Sequence, residues 1–251
     1  MDTAAILQRV KDLAPWHFDV ELPGGIRTGE WNKAPAEHPE KGDAVAVAPE
    51  EMRAFFTKYY PGGLSGKEVL DVACNAGGYC FLAHELGARA VTGFDVRQHW
   101  LDQAEFLRSV KYPSAVSVTF QRADASQFLD TSRKVYDIVI FKGIFYHLPD
   151  PIHTLMKACD AAAECILVDT ASSSEVPEQC LSPYKESRTH VMSGVHGLAW
   201  LPGGPEAVRP ILAHRGFKTI ELVFWRAATQ AARGRFRLIG SRAPPPRPPV
   251  T

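Results

Sequence analysis

The sequence predicts an α/β fold built on a mostly parallel sheet, and three observations carry that prediction. Short, mostly apolar runs suited to strands buried on both faces recur at Val69–Val72, Ala90–Phe94, Val135–Phe141 and Cys165–Val168. Stretches with apolar residues at helical spacing stand between them. The segment Glu68–Cys80 joins the two kinds of element directly. Val69, Leu70 and Val72 read as a buried strand, Cys74–Gly78 as a tight turn of small residues, and Tyr79, Leu82, Ala83 and Leu86 as a helix. That order sets a helix N-terminus beside the C-terminal edge of a parallel strand, where ligands of open α/β sheets bind.

The remaining elements follow in chain order. Residues 3–14 carry Ile6, Leu7 and Val10 on one helical face. Val20–Thr28 reads as a hairpin turning at Pro23-Gly24-Gly25. Residues 29–49 are rich in Pro, Gly and charge and read as loop, so the N-terminal part is expected to be a lid or appendage. Trp16, Phe18 and Trp31 either cover an edge of the core or grip an acceptor from this part. A helix starts at Pro49, with Met52, Phe55, Phe56 and Tyr59 as its stripe. A second strand ends at Asp95, 24 residues after Asp71, the length of one βαβ step. Trp100, Leu101, Ala104 and Leu107 mark the next helix, and Val116–Phe120 alternates as a third strand before Arg122-Ala-Asp124. The fourth strand, Val135–Phe141, leads into Lys142-Gly-Ile-Phe-Tyr146-His147. Asp150 is the expected N-cap and Pro151 the first residue of a helix with Ile152, Leu155, Met156 and Cys159 on one face. A fifth strand ends at Asp169. Residues 171–200 form a Ser/Pro-rich excursion, and a loop that long inside a compact domain is more often functional than not. Phe217–Trp225 and Arg235–Ile239 are the last strands, and the end of the chain is polyproline-like.

The first turn lacks the G-x-G-x-x-G that brings backbone against a pyrophosphate. Ala73 and Asn75 stand where glycine is expected, and Gly77 and Gly78 remain. Asn75 can adopt a left-handed backbone at low cost. Asp71, just before the turn, would repel a pyrophosphate and suit a ligand carrying an ammonium group. Asp71-Val-Ala-Cys-Asn-Ala-Gly77 resembles motif I of class I S-adenosylmethionine (SAM)-dependent methyltransferases, D-x-G-x-G-x-G with two glycines replaced. The resemblance continues through Gly93-Phe-Asp95, Arg122-Ala-Asp124 and Phe141–His147. The last segment and the Cys74-Asn-Ala-Gly77 core resemble a subgroup that includes tRNA wobble-uridine carboxymethyltransferases and bacterial glycan O-methyltransferases.

This resemblance implies a Rossmann-like, seven-stranded methyltransferase sheet, mostly parallel with an antiparallel C-terminal strand. It implies a SAM-binding domain over residues 50–240, an acceptor lid at about 171–200, and flanking segments 1–49 and 241–251, the latter a disordered Pro-rich tail. The implied cofactor is SAM. Its expected contacts are Asp71, Ala73, Asn75 and Gly77 in the first turn, Asp95 and Val96 after the second strand, Asp124 and Ala125 after the third, and Lys142 leaving the fourth. A carboxylate in the Asp95 position can accept hydrogen bonds from both ribose hydroxyls. The family's acid in the Asp124 position contacts the adenine amino group. Asp95 and Asp124 would serve equally as helix caps.

Composition narrows the partners. Lys+Arg and Asp+Glu number 28 each, so the net charge is zero, which counts against a dedicated nucleic-acid binder. Five cysteines at wide spacing suggest neither a disulfide framework nor a structural metal. No apolar run approaches the roughly 20 residues of a membrane helix, and a cytoplasmic protein is expected. The expected acceptor is a hydroxyl of a sugar, glycan or small polar metabolite. The alternatives are a tRNA wobble-uridine (carboxy)methyltransferase and a non-catalytic SAM-fold partner module. An alcohol is a poor nucleophile unless its proton leaves as the bond forms, and general-base help is worth about 10²–10⁴-fold. His147 is the first candidate base, with His196 the second and Tyr146 a residue that could orient the acceptor. A lone loop histidine such as His196 is usually a surface residue. No metal is expected, since Asp150 has a capping role and Asp169 stands without a spaced ligand set.

Overall fold

The computed structural model describes residues 1–243; residues 244–251, most of the expected Pro-rich tail, lie outside the described residues. In chain order the helices are α1 (Thr3–Asp12), α2 (Arg53–Tyr59), α3 (Gly78–Glu85), α4 (Gln98–Val110), α5 (Ala125–Thr131), α6 (Pro151–Asp160) and α7 (Arg209–His214). The strands are β1 (Glu21–Leu22), β2 (Ile26–Arg27), β3 (Glu68–Val72), β4 (Ala90–Asp95), β5 (Val118–Arg122), β6 (Tyr136–Lys142), β7 (Ala162–Ser172), β8 (Leu181–Lys185), β9 (Leu198–Pro202), β10 (Thr219–Arg226) and β11 (Gly234–Ser241). Seven of them form one sheet in the order β10-β11-β7-β6-β3-β4-β5. β3/β4, β4/β5 and β6/β7 pair in parallel, while β11 is antiparallel to both β7 and β10. The expected mostly parallel sheet with an antiparallel C-terminal strand is therefore what forms.

The chain divides into two compact units, Met1–Asp124 with Ser187–Val195, and Ala125–Glu186 with His196–Thr251. The first is built on β3, whose Val69, Leu70 and Val72 are fully buried. Its N-terminal residues contribute Ile6, Val10, Trp16 and Phe18 to the buried set. Asp2 caps α1 by accepting the Ala5 N–H at 2.8 Å, and the buried Trp16 indole donates to the Val10 carbonyl at 2.8 Å. Phe18 is 1% exposed and meets Tyr79 edge-on at 4.9 Å between ring centroids. A Cβ on Gly78 would come within 2.6 Å of Phe18, so glycine lets the start of α3 close onto that ring. The hairpin turns at Pro23–Gly25 as its sequence implies, with Gly24 and Gly25 at φ 80° and 75°.

Two strand boundaries differ from the sequence expectation. The third strand begins at Val118, not Val116, because residues 112–116 turn first: Ala115 N–H donates to Tyr112 and Val116 N–H to Ser114. Val116 is left 84% exposed while Val118 is buried. The fifth strand is the eleven-residue β7 rather than Cys165–Val168, because β11 pairs with it from Cys165 to Ser172. The buried polar residues Asp169, Thr170 and Ser172 hide that extension from an apolar-run criterion.

The excursion at 171–200 is not all loop. β8 and β9 pair antiparallel within the second unit, and Trp200 Nε1 donates to the Pro149 carbonyl at 2.9 Å, tying the hairpin to the turn before α6. Asp150 caps α6 as expected, accepting the His153 N–H at 3.2 Å. Residues 187–195 belong to the first unit, where Val191 packs with Ala44 and Trp100.

Candidate functional site

The turn after β3 is a run of left-handed backbone. Ala73, Asn75 and Gly77 take φ of 58°, 52° and 74°. These are the three positions at which the D-x-G-x-G-x-G pattern has glycine, so the pattern records a backbone requirement rather than a taste for small side chains. Asn75 tolerates that region and also bonds locally, its Oδ1 accepting the Ala76 N–H at 2.7 Å. Ala73 has no such compensation and carries about 1–2 kcal/mol of strain. Gly77 is required twice, since a Cβ there would also lie 2.4 Å from the Phe120 ring. The turn rests on β4 at Gly93, where a Cβ would meet Cys80 Sγ at 2.7 Å and Cys74 Sγ at 2.9 Å. Burial pushes the Cys74 thiol up to about 11 and the Cys80 thiol well above its ordinary value, so both stay protonated. Cys80 donates to Asp71 Oδ2 at 3.4 Å, and Asp71 is 2% exposed.

Asp95 ends β4, and backbone holds it. Its Oδ2 accepts the Asn75 N–H at 3.0 Å and its Oδ1 the Arg97 N–H at 2.9 Å. Burial raises its carboxyl to about 6, against the lowering effect of those N–H groups. A 6% exposed carboxylate bracketed by two amides at a strand tip has lone pairs left for hydroxyl donors. Arg97 has a second function that the sequence did not suggest. Its guanidinium donates to the carbonyls of Arg188, His190 and Ser193 at 3.1, 2.9 and 3.0 Å, and so fastens residues 187–195 onto the exit of β4. Val96 follows Asp95, and Asp124 closes this unit before Ala125 opens α5 in the other.

In the second unit, β6 exits through Gly143 (φ 75°) into a 3₁₀ turn, Phe145–His147. Beside it, Asp169 on β7 is fully buried among cations. Register explains the grouping: Lys142 and Arg237 are the cross-strand partners of Asp169 on either side. Arg235, two residues before Arg237 on β11, shares its face. Arg237 Nε donates to Oδ2 at 2.7 Å, Arg235 Nε lies 2.6 Å from Oδ1, and the Lys142 ammonium 3.8 Å from Oδ2. Burial opposes the Arg235 charge, but Asp169 and the Tyr146 hydroxyl outweigh it and hold the guanidinium above its ordinary value. Burial also raises the Tyr146 phenol. Arg233 stacks over the Tyr184 ring at 4.6 Å.

His147 and Tyr146 are brought together, with ring centroids 4.1 Å apart. His147 Nδ1 lies 2.8 Å from Glu186 Oε1, and the same oxygen accepts the Tyr184 hydroxyl at 2.8 Å. Tyr184 also donates to the Tyr146 carbonyl at 2.6 Å. The Glu186 side chain is 6% exposed and that of His147 13%. His196 precedes Gly197, whose carbonyl accepts the Glu186 N–H at 3.2 Å. Sequence reading missed Glu186, Arg235 and Arg237. The i, i+2 alternation Arg233-Gly-Arg235-Phe-Arg237 was the available signal for a cationic strand face.

Comparison with known proteins gives this geometry a family. A tRNA U34 carboxymethyltransferase of Aliarcobacter butzleri is 26% identical over 227 residues, 87% of this chain and 64% of that protein. A ubiquinone biosynthesis O-methyltransferase of a Shewanella species is 31% identical over 109 residues, 43% of this chain and 44% of that protein. The chain thus spans less than two thirds of the length of these curated relatives. Among solved structures, the N-terminal domain of EvdMO1, determined in the presence of SAH and D-fucose, superposes with a TM-score of 0.72 at 21% identity. That match covers 96% of this chain and 97% of the other, and it shows a shared fold. A family model described as a methyltransferase domain matches residues 64–213, more than half of the chain and the whole stretch from the residues before β3 into α7. The chain therefore belongs to the methyltransferase domain family.

Proposed function

We propose that this enzyme moves a methyl group from SAM to a hydroxyl of a sugar, glycan or small polar metabolite in the cytoplasm, with His147 as general base. The observation that carries the reading is the fixed imidazole at the exit of β6. A carboxylate accepts from Nδ1, so Nδ1 carries the proton and Nε2 keeps its lone pair. The fold shared with a domain determined beside D-fucose and the zero net charge favour a small polar acceptor.

The residues present fit the cofactor. Asp95, buried and already bracketed by two amides, would take the ribose hydroxyls. Asp71 would favour the ammonium, and the left-handed turn at Ala73, Asn75 and Gly77 would let the ligand approach the backbone. Val96, Asp124 and Ala125 would border the adenine, and Lys142 the reacting end. When bound, SAM supplies the electrophilic methyl and keeps the electron pair of the broken carbon–sulfur bond. The protein's own share is alignment and removal of one proton. His147 Nε2 takes the acceptor's O–H proton as the new oxygen–carbon bond forms, and Tyr146 beside it orients the acceptor. His196 is the secondary candidate for the same role. The test is a screen with methyl-labelled SAM against saccharides, small metabolites and unmodified tRNA. Label in a hydroxyl compound that disappears in His147→Ala, with SAM affinity kept, supports the reading. Full turnover in that variant removes the base.

One observation favours a second reading. Arg235 and Arg237 together exceed the charge of the single carboxylate they share. A carboxylated SAM would suit such a cationic strand face, as would the tRNA chemistry named for the Aliarcobacter relative. Tighter binding of carboxy-SAM than of SAM, with salt-dependent tRNA binding, would favour it.

A further inference from the structure

We propose that Glu186 is a positioning residue for methyl transfer, holding His147 in the one tautomer and ring orientation that leave Nε2 free to take the acceptor proton. The proposal rests on the reading of His147 as base and adds a residue from a different part of the chain, 39 positions on. In neutral imidazole one nitrogen donates and the other accepts, and the partner of one decides the state of the other. Glu186 is that partner at 2.8 Å, and almost no solvent competes, since its side chain is 6% exposed.

Glu186 is itself held through both its side chain and its backbone. Its Oε1 also accepts the Tyr184 hydroxyl at 2.8 Å. Tyr184 is anchored in turn by the Tyr146 carbonyl at 2.6 Å, in the same 3₁₀ turn as His147, and by Arg233 over its ring. The Glu186 backbone continues the β8/β9 ladder through its N–H to Gly197. The carboxylate thus sits on a paired hairpin rather than a free loop, and that hairpin is fastened near the base by Trp200 on Pro149. Proton accounting is simple. The acceptor's O–H bond breaks, the proton ends on Nε2, and the Nδ1 proton stays where Glu186 holds it, so the imidazolium formed lies against a carboxylate.

The test uses the full chain. ¹⁵N-histidine NMR of the unliganded protein at pH 8, with the His147 signal identified by His147→Ala, reads the tautomer directly. Wild type is expected to carry the proton on Nδ1. Glu186→Gln preserves shape but can present an amide donor to Nδ1, and is expected to move the proton to Nε2. Turnover of labelled SAM with a pooled set of monosaccharides then gives a double-mutant cycle. His147→Ala is expected to lose about 10²-fold or more in kcat. Glu186→Gln should lose a similar factor with KM for SAM within about threefold, and adding it to His147→Ala should cost almost nothing more. A His147 proton on Nε2 in wild type, an unchanged tautomer in Glu186→Gln, or losses that multiply in the double variant would each overturn the role of Glu186. Undiminished turnover in His147→Ala would overturn the base itself, and the positioning role with it.

Discussion

Asp95 and Asp169 are both buried strand carboxylates, and they are held in opposite ways. Asp95, in the first unit, is gripped by the backbone N–H groups of Asn75 and Arg97. Asp169, in the second, is surrounded by the side chains of Arg235, Arg237 and Lys142. Amides carry only partial charge, so burial wins at Asp95 and raises its carboxyl to about 6. The first arrangement leaves an acid with capacity for further donors, as a ribose would supply. The second is an ion cluster whose loss would leave cations stranded.

The largest effect that separates the two is expected at Asp169. Asp169→Ala removes the anion from beneath Arg235 and Arg237 and should cost about 3–5 kcal/mol of unfolding free energy, read in denaturant. A loss below about 1 kcal/mol would mean that solvent already satisfies the guanidinium groups. Asp95 should instead show itself through pH. Its folded value of about 6 lies above the ordinary carboxylate value of about 3.9. Between those values the folded state binds more protons than the unfolded chain, so the contribution of this group to stability falls as pH rises through that window. The span corresponds to about 3 kcal/mol, and Asp95→Asn should flatten it. A variant with the same pH slope as wild type would place the titration elsewhere.

Smaller effects sharpen the same contrast. Arg97→Met keeps the stem but removes the one guanidinium nitrogen shared by the carbonyls of Arg188, His190 and Ser193, and amide exchange there should accelerate by about tenfold to a hundredfold, with the exchange of β3 unchanged. Uniform acceleration would mean the segment has no separate stability. Ala73→Gly relieves a left-handed residue and should raise stability by up to about 1 kcal/mol, part of the strain being offset by the greater freedom of glycine when unfolded. A destabilised variant would contradict the strain assigned to Ala73.

The contrast also marks what the sequence could reveal. The first arrangement is local or one βαβ step away, so the Asp71–Gly77 pattern and the Asp95 spacing are enough to expose it. The left-handed positions were legible because glycine usually fills them, even with Ala73 and Asn75 in place. The second arrangement depends on register across β6, β7 and β11. Arg237 reaches Asp169 over 68 positions, and nothing local in either segment announces that pairing. Glu186 was hidden for the same reason, in a stretch that reads as loop because its short paired strands hold Ser182, Pro183 and Pro202. The late start of β5 follows from a turn at Pro113 and Ser114 that an alternating pattern passes over.

The most direct test of the central claim is a calorimetric titration of SAM into wild type and Asp95→Asn, across pH 5 to 8. Wild type is expected to bind at one site per chain, weakening below about pH 6 as Asp95 takes up its proton. Asp95→Asn is expected to show affinity lower by at least about tenfold, the value of one to two charge-assisted hydrogen bonds, and no pH step. Equal affinity and the same pH profile in both proteins would contradict the claim.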